Sequence, residues 1–350
     1  MIDEVFLPLD HVIYPSYGKH VWHWHTSDNL PDWRHAGLIV FGLHYGTDEP
    51  DFGVCRNLQS MEWSPASNTR AVHLGLLPVN PHMPRYTEWL NHVLQYIRAG
   101  NPDAKIMVYA NREIDLEGLK QWYHWSRNTV YFTPAVRASG KAMLASLIDA
   151  TEEAHLHVGG IQQFYTVKDF SHLASFPQVD IWRLSDLKEQ NDLMEVIWRD
   201  ASLGIAGLDV LAFHVAGNRR CGVAGFDIYD WVNMFYQFGL SLTAKDFVLS
   251  GLEGGDFPDK EAEAISMGIW HIWEGMKNKT EDFPLIEREA LQKVEFNIDG
   301  HTLSLYLNPQ TGRWWIYFEE EEDKMLPVSR KSVDSLRNGQ FPFPVLKYFV

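Results

Sequence analysis

The chain has 350 residues, 45% of them hydrophobic, with 14 Trp and 19 Phe, so it is long enough for one large α/β domain or two ordinary ones and is too apolar for a disordered chain. Its formal net charge of −16 disfavours a nucleic-acid partner, because phosphate recognition needs a basic face, and none is expected. No apolar stretch reaches the ~18 residues of a membrane span.

The N-terminal segment MIDEVFLPLDHVIYP lacks the basic start and sustained apolar stretch of a signal peptide. The only two cysteines, Cys55 and Cys221, have no CxxC spacing, which fits a reducing compartment without a disulfide framework. A cytoplasmic protein is therefore expected. Val21-Trp22-His23-Trp24-His25 alternates and reads either as a short strand or as an extended arm. Ala36 to Leu43 is nearly continuous in apolar residues, the pattern of a first buried parallel strand. The polar segment His44–Asn57 reads as a loop, and Ser67-Asn68-Thr69-Arg70 as a helix start feeding a short apolar segment. Pro84 to Ala99 carries apolar residues at helical spacing and is stopped by Gly100-Asn101-Pro102. Strands are expected at Lys105–Tyr109, Thr129–Thr133, His157–Ile161, Val179–Trp182, Val210–His214 and Phe247–Leu252. Helices are expected at Leu116–Trp125, Met143–Ala154, from Phe226-Asp227 through Phe238, and at Glu261–Met276. Such alternation argues for a mainly parallel sheet with helices on both faces.

From about residue 283 the texture changes. Val294–Ile298 and Leu303–Leu307 alternate around Asp299-Gly300, a hairpin turn signal, and Arg313–Phe318 extends the pattern into a β meander.

The stretch with most chemical content is Val179 to Ile228. Val210-Leu211-Ala212-Phe213 reaches His214 and then enters a loop of Gly, Asn and Arg, the way a buried strand delivers a side chain to the mouth of an α/β sheet. The order of features resembles the ureohydrolase (arginase, agmatinase, formimidoylglutamase) superfamily, and in particular the arginase-like proteins of Bacteroidetes bacteria. Arg183-Leu184-Ser185 with Glu189, Arg199-Asp200-Ala201, Gly239-Leu240-Ser241 followed by Glu253, and Trp270 to Gly275 carry the resemblance further, as does the C-terminal Arg313-Trp314-Trp315. It implies a three-layer α/β/α fold. It also implies two manganese ions held by four aspartates and two histidines, which turn a bridging water into a hydroxide that attacks a guanidino carbon.

The ligand signatures of that family are where this chain departs. The Gly-Gly-x-His loop matches Tyr109-Ala110-Asn111-Arg112-Glu113, with Arg112 where histidine belongs, and a guanidinium keeps its proton and cannot ligate. The Asp-x-His-x-Asp signature matches Thr133-Pro134-Ala135-Val136-Arg137, which offers no ligand. The Ser-x-Asp-x-Asp signature matches Ala212, His214 and Ala216. The resemblance thus implies a vestigial pocket of Arg112, His214, Asp227 and Glu253, with Asp209 nearby, and no manganese; a satisfied buried histidine is the plainer account of His214.

Other chemistry-bearing residues have plainer readings beside the sharper ones. His20, His23 and His25 form the densest histidine cluster, and His23 with His25 would share one face of a strand at a spacing seen in metal sites; packing with Trp22 and Trp24 is the plainer account. His155 and His157 have the same spacing, and beside a ligand role the plainer reading is ordinary strand-start residues. Cys221 follows Arg219-Arg220, which would lower a thiol pKa, but no histidine adjoins it in sequence to serve as a base. Gly251-Leu252-Glu253-Gly254-Gly255 lacks the P-loop pattern and reads as a turn, and the acidic run Glu319–Asp323 as a solvated edge.

The expectation is a three-layer α/β/α fold with a mainly parallel central sheet and a small C-terminal β extension. Residues 1–35 form an N-terminal arm, 36–282 a ureohydrolase-like domain and 283–350 the β-rich extension. The expected function is that of a catalytically inactive member of the fold, a binding, structural or regulatory subunit with a protein partner or a second copy of itself. Trp22-Trp24 or Trp314-Trp315 would supply the contact if they are not core residues. The alternative is a metal-dependent C–N (amidino or formimino) hydrolase with an unconventional mononuclear site at His214 with Asp227 or Glu253.

Overall fold

The computed structural model describes residues 6–7, 22–26, 31–45, 52–63, 70–79, 86–110, 114, 128–135, 155–162, 176, 178–190, 192–217, 221–251, 259–283, 285–298, 301–318 and 325–342. Among them, nine strands form one wholly parallel sheet. They are β1 (Trp22–Trp24), β2 (Leu38–Tyr45), β3 (Ala71–Val79), β4 (Lys105–Ala110), β5 (Thr129–Phe132), β6 (Leu156–Ile161), β7 (Val179–Arg183), β8 (Leu203–Gly207) and β9 (Asp246–Ser250). Their spatial order is β1-β3-β2-β4-β9-β8-β5-β6-β7. The chain order breaks between β4 and β5, which lie on either side of the β9–β8 pair. At such a break an α/β sheet opens a crevice at the carboxyl ends of its strands.

The two-residue period of the strands divides the core. Ile106 and Val108 of β4 face one way, with Ile39, Val72 and Val248, against α2 (Tyr86–Gly100) through Leu90, Leu94 and Ile97. Met107 and Tyr109 face the other way, with Phe132 and Phe247. That second face is covered by α1 (Gly53–Ser60), α4 (Leu193–Asp200), α6 (Ile228–Leu240) and α7 (Asp259–Lys277), where Trp198, Trp231 and Trp273 are fully buried. Two shorter helices, α3 (Leu184–Glu189) and α5 (Phe213–Ala216), complete this half. The result is the expected three-layer α/β/α arrangement. Helices α6 and α7 cross at glycine: a β-carbon on Gly239 would lie 2.2 Å from the Ile272 carbonyl oxygen, and one on Gly275 2.3 Å from that of Tyr236.

Beyond the parallel sheet, β10 (Gln292–Ile298), β11 (His301–Leu307), β12 (Trp314–Tyr317) and β13 (Met325–Val328) form an antiparallel meander, followed by α8 (Arg330–Arg337). Trp314 and Trp315 are 9% and 2% exposed, so they are core residues of this extension and not an open contact surface. Arg199 at the end of α4 fastens the extension to the main body. Its guanidinium lies 4.8 Å from the Trp315 ring and donates to the carbonyl oxygens of Trp314 (3.0 Å) and Val328 (3.4 Å).

Two expectations fail. The segment after Arg70 is not helical: Ala71–Val79 is strand β3, apolar on both faces because both are covered, and the helix instead lies earlier, at Gly53–Ser60, beginning inside the supposed loop and ending three residues beyond it. The supposed strand Val210–His214 is also absent. The strand is Leu203–Gly207, Leu208–Val210 is a 3-10 turn, and Phe213–Ala216 is a helical turn. The run Leu203-Gly204-Ile205-Ala206-Gly207 has only two bulky apolar residues because the Trp198 ring packs against Gly204, so the greasier Val210–Phe213 looked the better strand. The expected helices at Leu116–Trp125 and Met143–Ala154 lie outside the described residues.

Candidate functional site

Polar side chains gather at both ends of the sheet. At the carboxyl ends, the corrected position of β8 changes which side chains arrive. The residues leaving the strand are Gly207-Leu208-Asp209-Val210-Leu211, so the half-buried Asp209 stands at the crevice, not His214. His214 is exposed on α5. Asp227 caps α6, accepting from the backbone N–H groups of Tyr229 (2.9 Å) and Asp230 (3.1 Å), and pairs with Lys188 at 3.0 Å. Its carboxylate is held below its ordinary pKa: burial would raise it, but the capping N–H groups and Lys188 outweigh that. Arg112 and Glu253 lie outside the described residues. At the end of β5, the Thr133 hydroxyl donates to the Ala135 carbonyl at 2.8 Å, and at the end of β9 the Ser250 hydroxyl accepts from Ile114 N–H at 3.0 Å. Cys221 is 6% exposed with its thiol 3.5 Å from the Leu208 carbonyl oxygen, which removes it as an accessible nucleophile.

The N-terminal histidines do not offer a better site. His20 and the side chain of His23 lie outside the described residues, and His25 is buried, its Nδ1 3.0 Å from the Leu74 carbonyl oxygen.

The amino ends of the strands carry the densest chemistry. His155 immediately precedes β6 and His157 is its second residue, so strand alternation puts both imidazoles on one face, with ring centroids 4.3 Å apart. Parallel register sets Asp180 of β7 directly beside His157. Asp200, the last residue of α4, comes in from the helix layer covering that face. The contacts are short. Asp200 Oδ2 lies 2.7 Å from His155 Nδ1 and 2.8 Å from His157 Nε2, while Asp180 Oδ2 lies 2.8 Å from His155 Nε2. Asn128 donates to Asp200 Oδ1 at 2.8 Å, and the Trp182 indole N–H donates to His157 Nδ1 at 3.3 Å.

The charges follow from these partners. Burial alone would lower the His155 pKa, yet the Asp200 and Asp180 carboxylates raise it to about 9, so it is an imidazolium near neutral pH. His157 is pushed down, first by burial and then by its charged neighbour. Burial would raise Asp200, but the two histidines hold it well below the usual carboxylate range. Among the described residues, His155, His157 and Asp200 are the one group of three His, Cys, Asp or Glu side chains whose donor atoms converge closely enough to share an ion, within 4.8 Å of one another.

All four side chains line a cavity of about 530 Å³ between the edge of the parallel sheet and the C-terminal meander. Ile316, Phe318, Leu326 and Val328 of the meander form its apolar wall. The volume is that of a small-molecule site, mostly apolar with a few convergent polar groups. The sequence treated His155 and His157 as strand-start residues. Their i, i+2 spacing was the available signal, but Asp180 and Asp200 come from distant segments and only the sheet register and the α4 packing unite them.

No family model and no curated protein matches the chain. Solved structures do. The chain is similar to the agmatine ureohydrolase of Thermoplasma volcanium at 12% identity, over 71% of this chain and 92% of that one, with a TM-score of 0.54. It is similar to Trypanosoma cruzi formiminoglutamase with Mn2+ at 11% identity, over 70% and 95%, with a TM-score of 0.57. Formimidoylglutamase from Bacillus subtilis gives 15% identity, 70% and 88% coverage and a TM-score of 0.57. The chain therefore has the ureohydrolase fold. No helix among the described residues is long and apolar enough to cross a membrane.

Proposed function

We propose that this chain is a ureohydrolase-fold protein that works by binding, as a structural or regulatory subunit in the cytoplasm, and not as a dinuclear manganese hydrolase. The observation that carries the proposal is the end of β8. Placed by the strand's true position, the Ser-x-Asp-x-Asp signature of the family falls on Gly207-Leu208-Asp209-Val210-Leu211, with one carboxylate where the family has two. The segment after β5, Thr133 to Arg137, contains no ligand-type side chain, and Tyr109 to Glu113 contains no histidine. Counting Glu113 and Glu253 by sequence alone, three carboxylates and no imidazole would serve two ions. Divalent ions of this kind require near-complete shells of oxygen and nitrogen donors. The donor set does not fit a manganese pair.

Binding as the alternative use of the fold is supported by the cavity under the C-terminal meander. Its partner would be another protein or a second copy of the chain. One residue favours the rival reading of a C–N hydrolase with an unconventional site: Asp209, which takes the place first given to His214. A single experiment separates them. The protein is loaded with manganese, assayed with arginine, agmatine and formimidoylglutamate with and without chelator, and compared with Asp209→Asn. The proposal expects no turnover and no change in manganese content on substitution. Chelator-sensitive turnover, with manganese lost in Asp209→Asn, overturns it.

A further inference from the structure

We propose that His155, His157 and Asp200 bind a single divalent transition ion of the zinc class at the amino ends of the strands, opening onto the cavity beneath the C-terminal meander. The inference is independent of the functional reading above, because β8 separates Asp200 from Asp209 by its full five residues, about 16 Å at the usual strand rise.

The arrangement has the parts of a metal centre. Two imidazole nitrogens and one carboxylate oxygen meet at a point: His155 Nδ1 and His157 Nε2 lie 2.7 and 2.8 Å from the same Asp200 Oδ2. Two nitrogens and one oxygen suit zinc and its neighbours, whereas calcium or magnesium would demand oxygen alone. Asp180 supplies the outer support that ligating histidines need. Its Oδ2 accepts from His155 Nε2 at 2.8 Å and lies 3.6 Å from His157 Nδ1, so one carboxylate orients both rings from behind. Asn128 fixes the other oxygen of Asp200 at 2.8 Å. Three protein ligands leave a fourth position, and the side chains that would hold the ion are also cavity-lining, so that position faces an apolar space of about 530 Å³. The occupant would be water or an organic ligand with one metal-binding atom and an apolar body.

Binding requires two changes. The donors now stand at hydrogen-bond distance, whereas bonds of about 2.0–2.1 Å in a tetrahedron put ligands about 3.4 Å apart, so the cluster opens by roughly 0.6 Å as the ion replaces protons. His157 must also present Nε2 without its proton. Its Nδ1 then carries the hydrogen, which turns to Asp180, and the 3.3 Å bond from the Trp182 indole is given up.

The test is calorimetric titration of chelator-treated full-length protein with zinc chloride alone, with cobalt(II) absorption as the spectroscopic readout. One ion per chain is expected, with cobalt bands of a four-coordinate nitrogen and oxygen site. Asp200→Asn and His157→Gln should abolish binding, Asp180→Asn should weaken it about 10- to 100-fold as loss of an outer carboxylate does, and Asp209→Asn should leave it unchanged. If Asp200→Asn and His157→Gln do not fold, Asp180→Asn and the wild-type cobalt spectrum decide. Absence of stoichiometric binding to the wild type, or binding indifferent to all of the cluster substitutions that fold, overturns the proposal and leaves the cluster as an ion-pair lock between β6, β7 and α4. Zinc lost in Asp209→Asn would also overturn it, by placing the ion at the other end of the sheet.

Discussion

Acid should unfold this protein through His73. The side chain is fully buried on β3. The Gly75 backbone N–H donates to its Nδ1 at 3.0 Å, so that nitrogen carries the lone pair and the proton is on Nε2. Nε2 in turn lies 3.1 Å from the Tyr109 hydroxyl and 3.6 Å from the Cys55 thiol, and His25 is the charged neighbour it would face on protonation. A second proton would set two N–H donors against each other and place the charge in a fully buried site. Burial, helped by His25, accordingly pushes the His73 pKa down to about 3, from an ordinary 6.5. The sign follows. Above pH 6.5 the imidazole is neutral in both states and contributes no pH dependence. Below 6.5 the unfolded chain takes up a proton that the folded chain refuses, so stability falls as pH falls, until about pH 3. The slope is about 1.4 kcal/mol per pH unit, or about 3 kcal/mol between pH 6.5 and 4.5. Urea unfolding of wild type and His73→Gln at pH 7 and pH 4.5 isolates it. The variant is expected to be less stable at pH 7 but to lose about 3 kcal/mol less than wild type on acidification. Equal losses in the two proteins would refute the assignment of His73 as an obligatorily neutral core histidine.

Three further outcomes are expected. Gly239→Ala should cost about 3 kcal/mol or more, read as a lowered thermal midpoint, because the added carbon would lie 2.2 Å from the Ile272 carbonyl oxygen at the α6–α7 crossing and neither helix backbone can retreat locally. Arg199→Met should loosen the C-terminal meander, since it removes both bonds to Trp314 and Val328 and leaves Glu195 with Arg313 as its remaining partner. Limited proteolysis should cut beyond residue 283 faster while the parallel-sheet body resists. Lys105→Met should cost about 1–3 kcal/mol in urea unfolding, because the buried amine donates to the Ser241 and Ala244 carbonyls, which would be left without it.

Strands buried on both faces were legible as runs: Ala36–Leu43 and Lys105–Tyr109 contain little but apolar residues, and each became a strand within a residue or two of its expected ends. The meander was legible through Asp299-Gly300 and the alternation on either side. β8 was not, because Gly204 makes room for Trp198 and Phe247, and the packing partner is invisible in a linear pattern. That slip put His214 at the strand end, where Asp209 stands. β3 failed for a related reason: Ser67–Arg70 resembles a helix cap, and local capping chemistry says nothing about a following segment whose two faces are both covered. The His155–His157–Asp180–Asp200 cluster needed a strand pair in register and the last turn of a helix, separations of 23 to 45 residues that no spacing rule links. Trp314 and Trp315 looked like contact residues or core residues with equal justice, and only their burial against Arg199 decides for the core.

The most direct measurement is a crystal structure of the protein grown with manganese and zinc, with anomalous difference maps at both absorption edges. The account predicts one zinc peak between His155, His157 and Asp200 and no manganese pair beside Asp209. Two manganese peaks in the crevice beyond β8 would contradict it.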